Sequence, residues 1–323
     1  MAIASNVRAG RATAFLAAFQ PAKGTAVSDF TTAGAIRLWT ESAQLPLARR
    51  YGLEAFMDSD RVPHEGARFR RPEDLTGRAA VLATPESLEW LLRSNYGPFA
   101  AGAFSLHTQV ADDRWLTLGW VENVAGGTQN FVRLVDAWFH SLELVAEGPA
   151  GRVIALSDFA ARSSLVQALN AGGVTLPVAP MAPADLGVFP VYGAQLFRDP
   201  TGDNEELRFR QLRLRLDQRL GYEWDMGAFK RDVFKMGKLR ATLEFTSDVG
   251  DETWQALSNQ RAGTDDRYRV RLTAGASVFT VDLHNVMLEV EALGHEGLSY
   301  AEFRAAGVAA RDAGGNFLTV TLT

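Results

Sequence analysis

Apolar and polar residues alternate strictly along several stretches of the second half of the chain. Leu212, Leu214 and Leu216 alternate with Arg213 and Arg215. Leu239, Ala241, Leu243 and Phe245 alternate with Lys238, Arg240, Thr242, Glu244 and Thr246. The pattern returns with Tyr268, Val270 and Leu272 between Arg267, Arg269 and Arg271, and again with Leu318, Val320 and Leu322 between threonines. A period of two places one face of a strand on a core and the other in water, the mark of antiparallel sheet. The first half carries the same pattern less cleanly, at residues 114–118 and 141–146.

Helix signals are few. Thr84 is placed to cap a helix, Pro85 fits its first position, and Glu86 favours the positive end of the dipole. Leu88, Leu91 and Leu92 supply an apolar stripe, and Tyr96-Gly97-Pro98 ends it, so a helix is predicted over 84–94. A second is predicted over 249–260, with Trp254 and Leu257 one turn apart. Between the halves, residues 171–204 are dense in glycine, proline and aspartate, which reads as linker and loops.

Self-comparison gives an ordered set of matches. Trp90 to Asn95 matches Trp254 to Asn259, and Asp112-Asp113-Arg114-Trp115 matches Asp265-Asp266-Arg267-Tyr268. Gly148 then matches Gly297, and Ala160-Ala161-Arg162 matches Ala309-Ala310-Arg311. The offset falls along the chain, as expected if the first copy has longer loops in a shared order of elements. The expected fold is mainly β: two tandem β-sandwich or barrel domains, each with one short flanking helix. The division expected is a first domain at 1–165, a linker at 166–183 and a second domain at 184–323. The competing account is a chance likeness between two β domains.

Composition narrows the function classes. A length of 323 residues suits about two domains at roughly 150 residues each. The absence of cysteine excludes disulfides, thiolate catalysis and cysteine-ligated zinc. A net charge of −5 is the wrong sign for gripping nucleic acid, though not for letting it slide past. No apolar run approaches the roughly 18 residues of a membrane-spanning helix. Arg8 and Arg11 precede a short apolar run at 12–19, but no clear cleavage site follows, so a cytosolic start is expected.

Candidate chemistry is thin. The histidines His64, His107, His140, His284 and His295 include no pair at helical metal-site spacing. Asp58, Asp60, His64 and Glu65 crowd one stretch, and Asp199, Asp203, Glu205 and Glu206 another; a solvated turn and an acidic linker are the expected readings. Nucleophile-elbow, P-loop and dinucleotide motifs are missing. Asp136, His140 and Ser141 lie close, but on a regular strand Asp136 and His140 share a face while Ser141 points away. The adjacent pairs Asp112-Asp113 and Asp265-Asp266 diverge on a strand, so turns are expected there. Trp115, Trp120 and Trp138 could stack on a sugar, with core packing the commoner fate. Catalytic, cofactor-binding and metal residues are therefore expected to be none, with no cofactor.

These features together resemble a family, the tail tube proteins of long-tailed bacteriophages, in the longer form whose tube domain is duplicated. The likeness lies in the Lys23-Gly24-Thr25-Ala26-Val27 turn, the strand Ala79-Ala80-Val81-Leu82 running into the helix at Pro85, and the strand pair 131–135 and 141–146 before Gly148-Pro149-Ala150-Gly151. The second half repeats it at 281–286, at Gly294-His295-Glu296-Gly297 and in the closing strand 317–322. The resemblance covers most of the chain and is one of texture and element order. It implies a non-enzymatic virion subunit, assembled in the host bacterial cytoplasm, whose inner sheets join into a barrel around a channel. It implies partners too: further copies of itself, as a homotrimer with pseudo-sixfold rings in preference to a homohexamer; the terminator, tape measure and distal tail proteins; and genome DNA passing unbound, with no membrane. The negative charge suits a lumen that repels phosphates. The arginine-rich outward faces named above then require the acid to lie on other strands or loops. The alternatives are a two-module β-sandwich carbohydrate-binding protein or adhesin and, third, an enzyme using His140 and Asp136.

Overall fold

The computed structural model describes residues 13–30, 35–44, 51–53, 68–70, 75–97, 99–100, 102–104, 115–123, 129–148, 151–168, 187–198, 206–225, 230–294 and 302–323. The alternating stretches are strands and the two helix signals are helices. The first half runs β1 (Thr13–Phe19), β2 (Ala35–Leu38), β3 (Thr40–Gln44), β4 (Tyr51–Leu53), β5 (Arg68–Arg70), β6 (Leu75–Leu82), α1 (Pro85–Asn95), β7 (Phe99–Ala100), β8 (Ala103–Phe104), β9 (Leu116–Asn123), β10 (Gln129–Phe139), β11 (Ser141–Glu147), β12 (Ile154–Ala161) and β13 (Ser163–Ala168). The second runs β14 (Ala194–Arg198), β15 (Glu206–Leu207), β16 (Phe209–Asp225), β17 (Lys230–Asp248), α2 (Asp251–Ala262), β18 (Asp266–Ala274), β19 (Ser277–Gly294), β20 (Glu302–Ala309) and β21 (Leu318–Leu322). β13 runs past the expected boundary at 165, and residues 169–186 lie outside the described residues.

The same pairing order occurs twice. In the first half, one layer is β2-β1-β9-β10-β13 and the other β3-β6-β12-β11. In the second, the layers are β15-β14-β18-β19-β21 and β16-β17-β20-β19. Among the described residues every ladder is antiparallel, and the pairings do not close the sheets into a barrel. β19 belongs to both of its layers: its first half pairs β18 and β21, its second half β20. β10 and β11 trace the same path, interrupted at His140.

The bend that lets this path change layers is built the same way in both halves. Among the described residues, Asp136 and Asn285 are the non-glycine residues with positive φ, at 51° and 54°. Aspartate and asparagine tolerate this left-handed conformation where most residues are strained. Past Asp136, β10 leaves β13, keeps β9 only at Ala137↔Leu116, and pairs β12 at Trp138 and Phe139. The Asp136 carboxylate, 1% exposed, accepts from the Gly24 N–H at 2.6 Å and lies 3.5 Å from Arg162 Nη1. Asn285 Nδ2 donates to the Arg311 carbonyl at 3.0 Å. A backbone bond closes beside each bend, one residue apart in the two halves: Arg162 N–H donates to Val135 O, before the bend, at 3.1 Å, and Ala310 N–H to the bend residue's own carbonyl, Asn285 O, at 2.9 Å.

The helices follow local chemistry. Thr84 Oγ1 accepts from the Ser87 N–H at 3.0 Å while Ser87 Oγ accepts from the Thr84 N–H at 2.9 Å, and Leu88, Leu91 and Leu92 are buried. α2 is capped at Gly250, whose N–H donates to Thr253 Oγ1 at 2.7 Å, and it starts two residues later than its apolar pattern predicts.

The halves are fused by β11 and β16, which pair over seven positions from Ser141↔Asp217 to Glu147↔Gln211. The result is one sheet of eight strands in the order β3-β6-β12-β11-β16-β17-β20-β19. Leu142, Leu144 and Ala146 of β11 and Leu212, Leu214 and Leu216 of β16 enter one core shared by both halves.

Asp136→Ala strips a buried carboxylate from two donors and strains a left-handed position. It is expected to cost about 2–4 kcal/mol in urea unfolding. Asn285→Gly, which keeps the bend without strain, is expected to cost under about 1 kcal/mol in the same measurement.

Candidate functional site

The eight-stranded sheet has two unlike faces, and the outward one gathers the charged residues of the alternating strands. Its inward positions are apolar and buried, among them Val81, Ala155, Leu144, Leu214, Leu243 and Ala305. Its outward positions include Arg78 on β6, Asp158 on β12, Ser141 and Glu143 on β11, Arg213, Arg215 and Asp217 on β16, Glu244 on β17 and Arg304 on β20. The acid expected on other strands or loops includes Asp158, Glu143, Asp217 and Glu244, on neighbouring strands of this same face.

These charges pair across strands. Arg78 Nη2 lies 3.0 Å from Glu143 Oε2, and Arg78 Nε 3.6 Å from Asp158 Oδ1. Arg215 Nη2 reaches Asp158 Oδ2 at 3.9 Å and Asp217 Oδ2 at 3.5 Å. Ser141 Oγ donates to Asp158 Oδ2 at 2.9 Å and accepts from the Asp158 N–H at 2.9 Å. The network thus crosses the β11–β16 junction, tying Arg78 and Asp158 of the first half to Arg215 and Asp217 of the second. A shallow polar recess of about 510 Å³ lies over it, lined by Arg78, Glu143, Arg213, Arg215, Thr242 and Glu244. Arg78 and Arg215 are 47% and 44% exposed, so water screens each pair and none contributes much to folding. With cations and carboxylates interleaved, the face presents no continuous charge of one sign to a polyanion.

The sheet also ends in two open edges. Among the described residues, the outer edge of β3 and the outer edge of β19 over residues 287–294 pair with no strand. Unpaired edges are templates for association. Met287 and Val308, opposite each other on β19 and β20, are exposed on the outward face beside the β19 edge.

The remaining candidates do not assemble into a reaction centre. Asp136 is taken up by Gly24 and Arg162, and Ser141 by Asp158. The bend at Asp136 breaks the regular strand alternation on which the shared face of Asp136 and His140 was expected. Trp115 and Trp138 are buried with ring centroids 6.4 Å apart, and Trp120 packs on Phe15, so the three form no exposed stacking platform. His284 Nδ1 lies 3.5 Å from Asp312, in the connection between β20 and β21. The Asn316 side chain holds the Asp312 carboxyl below its ordinary range, a structural brace. Asp266 carries out pairing instead of paired-acid chemistry, accepting from Asn259 Nδ2 at 3.0 Å. Asp58, Asp60, His64, Glu65, His107, Asp112, Asp113, Asp199, Asp203, Glu205 and His295 lie outside the described residues. Glu206 begins β15 and accepts from Gln195 Nε2 at 3.4 Å. Among the described residues no group of three acidic or histidine side chains could hold a metal ion, and no helix is long and apolar enough to cross a membrane. No residue pattern in the sequence marked β11 and β16 as the strands that meet, or β3 and β19 as the edges left open.

The chain matches no known family model and no curated protein.

The two faces of β16 are expected to respond differently to truncation. Arg215→Ala should cost under about 1 kcal/mol, while Leu214→Ala should cost about 2–4 kcal/mol, both by urea unfolding.

Proposed function

We propose that this chain is a structural subunit of a phage tail tube, forming rings that stack around a channel for DNA. One observation carries the reading: two copies of one β unit are joined edge to edge into a single sheet, with an open edge left at each end. A sheet of this kind can grow sideways or close on itself, and closed cyclic symmetry removes the exposed edges. Three copies would supply six repeats and roughly 24 strands. At a spacing of about 4.8 Å and a tilt of about 40°, those strands close at a backbone diameter of about 48 Å, or about 38 Å between the side chains that line the channel. That bore accommodates one duplex. The interleaved charges of the outward sheet face suit a lining past which DNA slides, since a one-signed cationic wall would hold phosphates by counterion release.

The carbohydrate-binding and adhesin reading lacks a stacking platform from Trp115, Trp120 and Trp138. The enzyme reading lacks a free Asp136 or Ser141.

Negative-stain microscopy and light scattering of the purified chain are expected to show rings or tubes whose population rises with concentration. A monomer at every concentration, or a defined stoichiometric glycan ligand, would count against the tube reading. Retention on a DNA column at physiological salt would count against the passive lining.

A further inference from the structure

The internal repeat specifies which strands meet between copies, and in what register. The helix caps Thr84 and Gly250 begin equivalent helices, so counting back equal steps makes Arg78 equivalent to Glu244, and Leu82 to Asp248. The ladders carry the equivalence outward. Leu82 pairs Ile154, which pairs Val145 on β11; Asp248 pairs Glu302, which pairs Gly294 on β19. In the other direction, Glu244 pairs Arg213 on β16, and Arg78 pairs Gln44 on β3. Val145 is thus the counterpart of Gly294, and Arg213 the counterpart of Gln44. Within the chain Val145 pairs directly with Arg213. Their counterparts sit on the two open edges.

We infer that a second copy of this chain occupies each open edge, with β19 of one copy pairing antiparallel with β3 of the next and Gly294 opposite Gln44. This rests on the tube reading and goes beyond it by naming the strands and the register. The β11–β16 junction shows that this pair of edges fits when both are supplied by one chain, and the outer edges are the same pair supplied by two. A two-residue slip would keep the faces matched but would abandon the geometry that the internal junction already satisfies, so successive repeats would no longer be related by one rotation.

The absence of native cysteine makes disulfide trapping clean. Opposed residues on paired strands approach closely enough for their β-carbons to be bridged after small adjustments. The full chain carrying Gln44→Cys and Gly294→Cys is expected, under mild oxidation of the assembled material, to run as covalent oligomers on non-reducing gels. Val145→Cys with Arg213→Cys should close within one chain and serves as the internal standard. Gln44→Cys with Leu293→Cys, one residue out of register, should give several-fold less cross-linked oligomer. Rings that form while the in-register pair cross-links no better than the out-of-register pair would overturn the register and leave the tube reading standing. An intact internal standard, no oligomer by cross-linking and a monomer by light scattering of the unmodified chain would overturn both. Circular dichroism matching the parent chain separates either result from misfolding.

Discussion

A strand edge exposes a row of N–H and C=O groups that must find partners, and the architecture depends on how this chain meets that demand at β11 and β16. Seven positions pair there, and the leucines on the inward side of both strands enter a common core. The hydrogen bonds satisfy backbone groups, while apolar burial supplies the larger net stabilisation. Neither strand reaches this position by a loop. β16 follows β15 after one residue, and β11 follows β10 after His140, redirected by the left-handed bend at Asp136. The junction is therefore fixed by local backbone geometry that the second half reproduces at Asn285, which is why the same type of edge reappears at the far end of the sheet.

This arrangement separates stability from surface character. The inward leucines, alanines and phenylalanines hold the sheet together, whereas the outward arginines are half-exposed, with the carboxylates lower between them, and their pairs are screened. The outward pattern is consequently free to be set by whatever the face confronts. Interleaving opposite charges on adjacent strands, as at Arg78, Glu143, Arg215 and Asp158, keeps the face wet and polar without giving it a strong field. A wall meant to grip a polyanion would collect its arginines; this one intersperses them.

Much of the fold was legible because strands on a two-faced sheet impose a period of two, and β16, β17, β18 and β21 fall on the stretches where that period is strictest. α1 was legible from its cap and stripe. The repeat was legible in order but not in register. Matching Trp90 to Trp254 by identity misses the equivalence of the helix caps by two residues, since the caps bring Leu88 onto Trp254. What is duplicated is backbone geometry, and side chains on equivalent positions have diverged wherever the environment differs: Leu88 is buried, Trp254 exposed. The better sequence signal was the single residue at the bend, Asp136 against Asn285, because left-handed backbone restricts residue choice. The fused sheet left little trace. Which edges meet is decided by the path of the chain in space, and a strand paired on both sides alternates just as one paired on a single side does.

The two kinds of junction are not equal in strength. Within the chain, the segment after α1 also reaches across to the second half, where Ala103 pairs Thr321 and the Gly102 carbonyl accepts from the Leu322 N–H at 2.9 Å. The segment after α2 leads into β18 within a few residues and has no length for the same reach. A junction between copies therefore lacks that added strand pair and also carries the translational and rotational cost of association, which the covalent junction avoids. Open chains of copies should be weak for this reason. The closing contact of a ring differs, because its two edges are already held in one assembly and meet at high effective concentration. If each junction turns the sheet by the same angle, closure rewards the complete ring over every shorter arc, and a weak edge suffices to make a single closed species.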